Sequence, residues 1–238
     1  MKAAVVLLFI LSLPVLTPAQ NRKPVVEFER IDFTKEDSLQ LLNEYGKNKE
    51  FIPQYALQML IALSYFPELK NTCIRFVFKH AHSPLETRPV FPNLLSKGSK
   101  RKFTIIISDS SMWKLEPVLI QHMSFNEQIG VMGHELSHAS DFSKRSTTSL
   151  IGSGIGHVFS SKYMDRFEFR TDSICIAHGL GYQLLAWSTF VRRTMHTENW
   201  EGSHNVNVPV MTRERYMNPS TIKKYIAANS LYSSNGIK

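Results

Sequence analysis

The chain has 238 residues, 43% of them hydrophobic and 20% charged, with a formal net charge of +8 and two cysteines. That length suits one compact domain with its own core, and neither an internal repeat nor a domain-sized linker divides it. The positive charge comes without a nucleic-acid motif and suits contact with anionic surfaces such as envelope polymers.

In chain order, Met1-Lys2, an apolar run to Leu16 and Thr17-Pro18-Ala19 predict a signal peptide over residues 1–19. The run is too short for a transmembrane helix, and no later stretch approaches that length. Residues 20–238 are therefore expected to form one exported domain, periplasmic or extracellular, without stable membrane insertion. Residues 20–70 form its helical N-terminal part and 71–238 its core. A polar lead to Asp32 is expected to be extended. Thr34-Lys35-Glu36-Asp37 predicts a helix start, with Leu39, Leu41 and Leu42 following and an end near Gly46. Residues 53–66 are apolar on most faces and predict a buried helix. Cys73-Ile74-Arg75-Phe76-Val77-Phe78-Lys79 alternates like a half-buried strand. Extended pieces near 90–95 and over 103–108 flank a basic turn, Lys97-Gly98-Ser99-Lys100-Arg101-Lys102, read as a solvated hairpin connection. Cys73 and Cys175 allow either a disulfide or two free thiols, and Cys175 reads as a packing residue.

Ser124-Phe125-Asn126-Glu127 is a capping-box pattern opening a helix to about Phe142. Inside that helix lies His134-Glu135-Leu136-Ser137-His138, an HExxH motif. Four residues of spacing put both imidazoles on one helix face, where they can hold one Zn²⁺ at roughly 2.0–2.1 Å each. Glu135 stands about 100° round the helix, within reach of a metal-bound water without joining the ligands. Residues 143–163, rich in Ser, Thr and Gly, read as a loop or lid. A second helix carries Glu168 and Asp172, again four apart on one face. Glu168 suits a third ligand, and Asp172 suits the free ring N–H of a ligand histidine. His157, Asp165 and Asp141 are competing ligand candidates. The helix is expected to run past Gly179 and Gly181 to about Arg193. A polar loop with Trp200 and His204 follows, and Asn218-Pro219 opens a last helix to about Ala228.

HExxH followed by ExxxD on a second helix resembles the gluzincin zinc peptidases, most closely soluble relatives of the HtpX-like and prenyl-protease-like enzymes. The extended metzincin pattern is excluded, because Asp141 and Lys144 stand where its glycine and third histidine belong. Met217-Asn218-Pro219 and the residues to Lys224 resemble that family's His-Pro-x-x-x-x-Arg segment, with Asn218 in place of the histidine and Lys224 in place of the arginine. The resemblance implies an α+β, mostly helical, zincin-like (minimal gluzincin) domain with a small sheet before the HExxH helix. It implies one Zn²⁺ per chain on His134, His138 and Glu168, with Glu135 as general base and substrate contacts from Asn218 and Lys224. Tyr216, His204, Asn218 and Lys224 are the candidates for stabilising an oxyanion. The implied activity is metalloendopeptidase cleavage of a peptide or protein. An amide hydrolase acting on a cell-wall polymer, or a non-catalytic binding protein of the same fold, are the alternatives.

Overall fold

The computed structural model describes residues 22–91, 93–96, 98–111, 114–150, 161–198 and 214–233. The expected signal peptide, His157, His204 and residues 151–160 of the expected lid lie outside them. The fold is α+β, with a small mixed sheet set among helices.

Helix α1 (Lys35–Tyr45) starts where the capping residues place it. The Thr34 hydroxyl accepts from the Asp37 N–H at 3.1 Å, and the Asp37 carboxylate accepts from the Thr34 N–H at 2.9 Å. The segment expected as one helix over 53–66 is a 3-10 turn at Pro53–Tyr55 followed by α2 (Ala56–Leu63). Every α2 residue from Leu57 to Leu63 is buried. At roughly 1.5–3 kcal/mol per large aliphatic side chain, this burial makes α2 a core element.

The strands β1 (Lys49–Glu50), β2 (Cys73–Phe78), β3 (Leu85–Pro89) and β4 (Lys102–Ile107) form one sheet in the order β1-β2-β4-β3. β3 pairs antiparallel with β4, and the other pairs are parallel. β3 lies upstream of the extended piece expected near 90–95, where Asn93–Leu95 is a 3-10 turn instead. Pairing with β4 and the burial of Leu85 decide the strand, and Pro89, which lacks an N–H, closes it. The Pro84 carbonyl accepts from Ser108 and the Val90 N–H donates to Lys102. By the antiparallel alternation, the N–H and C=O groups of Leu85 and Thr87 then point outward, along the open edge of the sheet.

In the basic turn Lys100 and Lys102 are exposed, as its solvated reading expects, and Arg101 departs from it. Arg101 is only 2% exposed, and its Nη1 donates to the carbonyls of Phe142 at 2.7 Å and Arg145 at 2.6 Å. It thereby satisfies carbonyls left open at the end of the next helix and complements that helix's negative pole. That helix, α3 (Phe125–Lys144), carries the capping box at Ser124 and Glu127 and packs against α2, β3 and two later helices. Gly130 permits a close approach, since a Cβ there would lie 2.2 Å from the Gln183 carbonyl oxygen.

α4 (Ser161–Ala177) and α5 (Gly181–Thr194) are separate helices, where the sequence suggested one. Gly179 has φ +98. The Gly179 N–H reaches the Ile176 carbonyl at 2.9 Å and the Leu180 N–H reaches the Cys175 carbonyl at 3.3 Å. This paired closure ends a helix in a left-handed residue, for which glycine carries no Cβ penalty. Both cysteines are free, and Cys175 is fully buried. The chain ends its described course in α6 (Pro219–Ala228) and the short α7 (Ser230–Ser233). Among the described residues, no helix is long and apolar enough to cross a membrane.

Candidate metal centre

Helices α4 and α5 both pack on α3, and α4 lies against the buried face of α3 that bears His134 and His138. Glu168 then stands opposite both rings. His134 Nε2 and His138 Nε2 are 3.2 Å apart, and each is 3.2 Å from Glu168 Oε2. All three residues are buried.

Outer partners set the direction of each ring. His134 Nδ1 lies 2.8 Å from Asp172 Oδ1, and the other Asp172 oxygen accepts from the Met217 N–H at 2.7 Å. His138 Nδ1 lies 3.1 Å from the Thr171 hydroxyl, which gives its own proton to the Phe167 carbonyl at 3.0 Å. In their neutral forms both rings therefore donate through Nδ1 and turn an Nε2 lone pair inward. The Glu168 oxygen between them has no hydrogen-bond partner. Three buried acceptors facing one another repel unless a cation or protons lie among them.

Donor separations of 3.2 Å are close to the roughly 3.3–3.4 Å that zinc bonds of about 2.0–2.1 Å impose at tetrahedral angles. Two imidazoles and one carboxylate also suit zinc chemically. The buried group of His134, His138 and Glu168 could thus hold a metal ion. The same arrangement governs protonation of the bare site. Burial acts against a charged His134, but Asp172 and Glu168 outweigh it and raise its pKa well above the usual value. Burial would raise Glu168, yet the two histidines hold it well below the ordinary carboxylate range.

Glu135 is buried beside this group and outside it. The Thr87 hydroxyl of β3 lies 2.7 Å from its Oε2 and 3.0 Å from its main-chain carbonyl. His134 and Glu135 stand where two clefts meet. One, of about 270 Å³, contains His134, His138 and Glu168 with Thr87, Phe142 and Tyr216. The other, of about 120 Å³, is largely apolar and runs between α3 and α5.

Tyr216 lines both clefts, its ring 5.7 Å from that of His134. Burial first, then the charges of Glu168, Glu135 and Asp172, raise its pKa well above the ordinary phenol value, so the hydroxyl keeps its proton at neutral pH. The structure therefore brings together His134, Glu135, His138, Glu168, Asp172 and Tyr216.

It does not bring Asn218 or Lys224 to the metal-ligating group. Asn218 is 5% exposed, and its Oδ1 accepts from Arg192 Nε at 3.0 Å and Nη2 at 2.9 Å. Lys224 is exposed on α6 and borders a separate groove with Ser173 and Tyr225. Asp141 pairs with Arg145 and Arg170, and Asp165 pairs with Arg215.

Among the neighbours of the site not anticipated from the sequence are Thr87, Thr171, Trp187 and Arg192. Thr171 was within reach of helical spacing, since it shares a face with Glu168 and follows Phe167 by one turn. The others come from a strand edge and from α5, and nothing local marks them.

No protein-family model matches the chain, nor does any curated protein or solved structure.

Proposed function

We propose that the chain is a zinc-dependent metalloendopeptidase of zincin-like, gluzincin type, exported to the periplasm or beyond the cell. The observation that carries this reading is Glu135, a buried carboxylate held at the mouth of two clefts beside a three-donor group that it does not join. A binding scaffold has no use for a base at that point.

His134, His138 and Glu168 would hold the ion. When bound, zinc supplies Lewis-acid chemistry, acidifying a water and polarising a carbonyl. Asp172 and Thr171 keep both imidazoles in the ligating tautomer. Glu135 takes the proton of the attacking water and passes it to the leaving amine. Thr87 keeps that carboxylate in place. Tyr216, protonated at neutral pH, provides a hydrogen-bond donor for the oxyanion. The outward backbone groups on β3 support an extended peptide as substrate, because a peptide can add to such an edge as a further strand. The N-terminal apolar run supports export, and the net charge of +8 supports work close to anionic envelope polymers.

Zinc content by elemental analysis, beside casein cleavage, tests the reading. One zinc per chain is expected in both the wild type and Glu135→Ala, with cleavage only in the wild type. A Glu135→Ala protein that cleaves casein at the wild-type rate would remove the general base from the mechanism. Hydrolysis of wall polymer but not casein would move the substrate class from protein to another amide.

A further inference from the structure

Tyr216 reaches His134 from a stretch of chain that has no regular structure to hold it. Tyr216, Met217 and Asn218 lie outside the described helices and strands, just before α6. Neither a helical repeat nor a strand ladder fixes their backbone, so its polar groups must be held by other means. Side chains from elsewhere take that part.

The largest of them is Arg192 of α5, which is only 6% exposed. Its Nε and Nη2 converge on Asn218 Oδ1 at 3.0 and 2.9 Å. Nη2 also donates to the Tyr216 carbonyl at 3.2 Å and to that of Met217 at 3.4 Å, while Nη1 donates to the Ser188 carbonyl of its own helix at 3.4 Å. Every nitrogen of Arg192 is thus engaged by the chain itself. One rigid, planar cation ties three consecutive residues of the irregular segment to α5. The charges of Asp172 and Glu214 favour it there. Glu214 in turn accepts from the Asn218 N–H and the Thr221 hydroxyl, both at 2.8 Å, which anchors the same segment to the start of α6.

Met217 has further supports. Its carbonyl accepts from the Ser188 hydroxyl at 3.0 Å, and its N–H donates to Asp172 at 2.7 Å. The link from Met217 through Asp172 to His134 therefore does not hang on Arg192. What the guanidinium adds is the placement of Tyr216, whose ring stands 5.7 Å from that of His134 where the two clefts meet. Placement matters for such a group. Removing a donor to an oxyanion costs about 10²–10³-fold in kcat, and misplacing a reacting group by about 1 Å can cost roughly 10²-fold.

We propose that Arg192 is the positioning residue for Tyr216, holding the backbone there so that the phenol faces the site before substrate arrives. This builds on the reading of Tyr216 as the oxyanion donor, and one arm of the test needs no turnover.

The experiment is a double-mutant cycle on zinc-loaded protein, with Arg192→Lys, Tyr216→Phe and the pair together. Lysine keeps the charge and the aliphatic stem but lacks the fork that reaches Asn218 and Tyr216 at once. In the first arm, kinetics are measured on a peptide that the wild type cleaves. Arg192→Lys is expected to lower kcat by roughly 10- to 100-fold with KM little changed and one zinc per chain, because the interaction it weakens is made in the transition state. In the Tyr216→Phe background the same substitution should change kcat by less than about threefold, since the group it positions is gone. Equal losses in both backgrounds would overturn the proposal and make Arg192 a general support of the fold.

In the second arm, calorimetry follows a phosphonate peptide, whose tetrahedral anion resembles the oxyanion. Arg192→Lys should weaken its binding by about tenfold or more when Tyr216 is present, and by less than about threefold when phenylalanine replaces it. That coupling without cleavage by the wild type would defeat the peptidase reading and leave the positioning role standing. Cleavage without coupling in either arm would do the reverse. Asn218→Ala, measured alongside, keeps the guanidinium and removes the oxygen on which its fork closes. It should show the same dependence on Tyr216, and losses independent of Tyr216 in both the lysine and the alanine variants would end the proposal even if one of them folds poorly.

Discussion

Replacing Asp172 by asparagine changes few atoms and should weaken metal binding from one layer behind the ligands. Asp172 is 1% exposed and offers two acceptors, one 2.8 Å from His134 Nδ1 and one 2.7 Å from the Met217 nitrogen. Both neighbours are donors. An asparagine has one acceptor oxygen and can satisfy only one of them. If its NH₂ faces Met217, a buried N–H loses its partner, at about 1–3 kcal/mol. If the NH₂ faces His134, the imidazole must move its proton to Nε2 to accept that bond. That tautomer withdraws the lone pair from the three-donor group.

The loss of the negative charge acts in the same direction, since Asp172 makes His134 more basic. Removing such a partner typically costs 10- to 100-fold in metal affinity, about 1.4–2.8 kcal/mol. Titration of Asp172→Asn with zinc against a chelator of known affinity measures it, and the zinc-free melting temperature reports the Met217 cost separately. An affinity within about twofold of wild type would refute the tautomer argument, because the lost acceptor would then have no bearing on the ring.

Three further outcomes follow from other parts of the molecule. Thr87→Val removes the hydrogen bond on Glu135 Oε2, a bond to a charged group worth about 1.5–3 kcal/mol, while keeping a residue that suits a strand. Under the peptidase reading, kcat should fall about tenfold or more at unchanged zinc content, and an unaltered kcat would show that Glu135 is positioned without Thr87. Gly130→Ala drives a Cβ to 2.2 Å from the Gln183 carbonyl, which is backbone and cannot turn aside. The overpacking should cost about 1–3 kcal/mol, read by calorimetry as a melting temperature lower by roughly 3–10 °C. Glu68 bears on pH. Burial raises its pKa, but His178, Ser140 and Lys144 outweigh this and hold it well below its usual 4.5. A depressed carboxylate stabilises the fold above the unfolded pKa and loses that contribution as pH falls toward the folded one. The stability gap between wild type and Glu68→Gln should therefore be full at neutral pH and shrink from about pH 5 downward. A gap that widened with acid would reverse the sign.

How much of this was legible in the sequence depends on the range of the interaction. Capping boxes at Thr34 and Ser124 close within three residues, and the HExxH and ExxxD pairs need only helical spacing. Helix starts, the face shared by His134 and His138 and the face shared by Glu168 and Asp172 were therefore readable without a fold. Errors arose where partners were remote. The β3 strand was misplaced because pairing with β4, not its own composition, chooses its residues. Arg101 read as solvated because the carbonyls it satisfies, Phe142 and Arg145, are more than forty residues away. One helix became two because the conformation of a single residue, Gly179, decides a break that a continuing apolar pattern conceals.

The sequence by itself determined which side chains share a helix face, since pairs a helical turn apart are a local property of the chain. Tertiary structure alone decided their environment. It brought the two pairs to 3.2 Å, set Thr87 and Thr171 on Glu135 and His138, committed Asn218 to Arg192, and opened an apolar pocket against α5. Those relations depend on how α3, α4 and α5 cross, and a crossing is fixed by the close packing of buried side chains from distant segments.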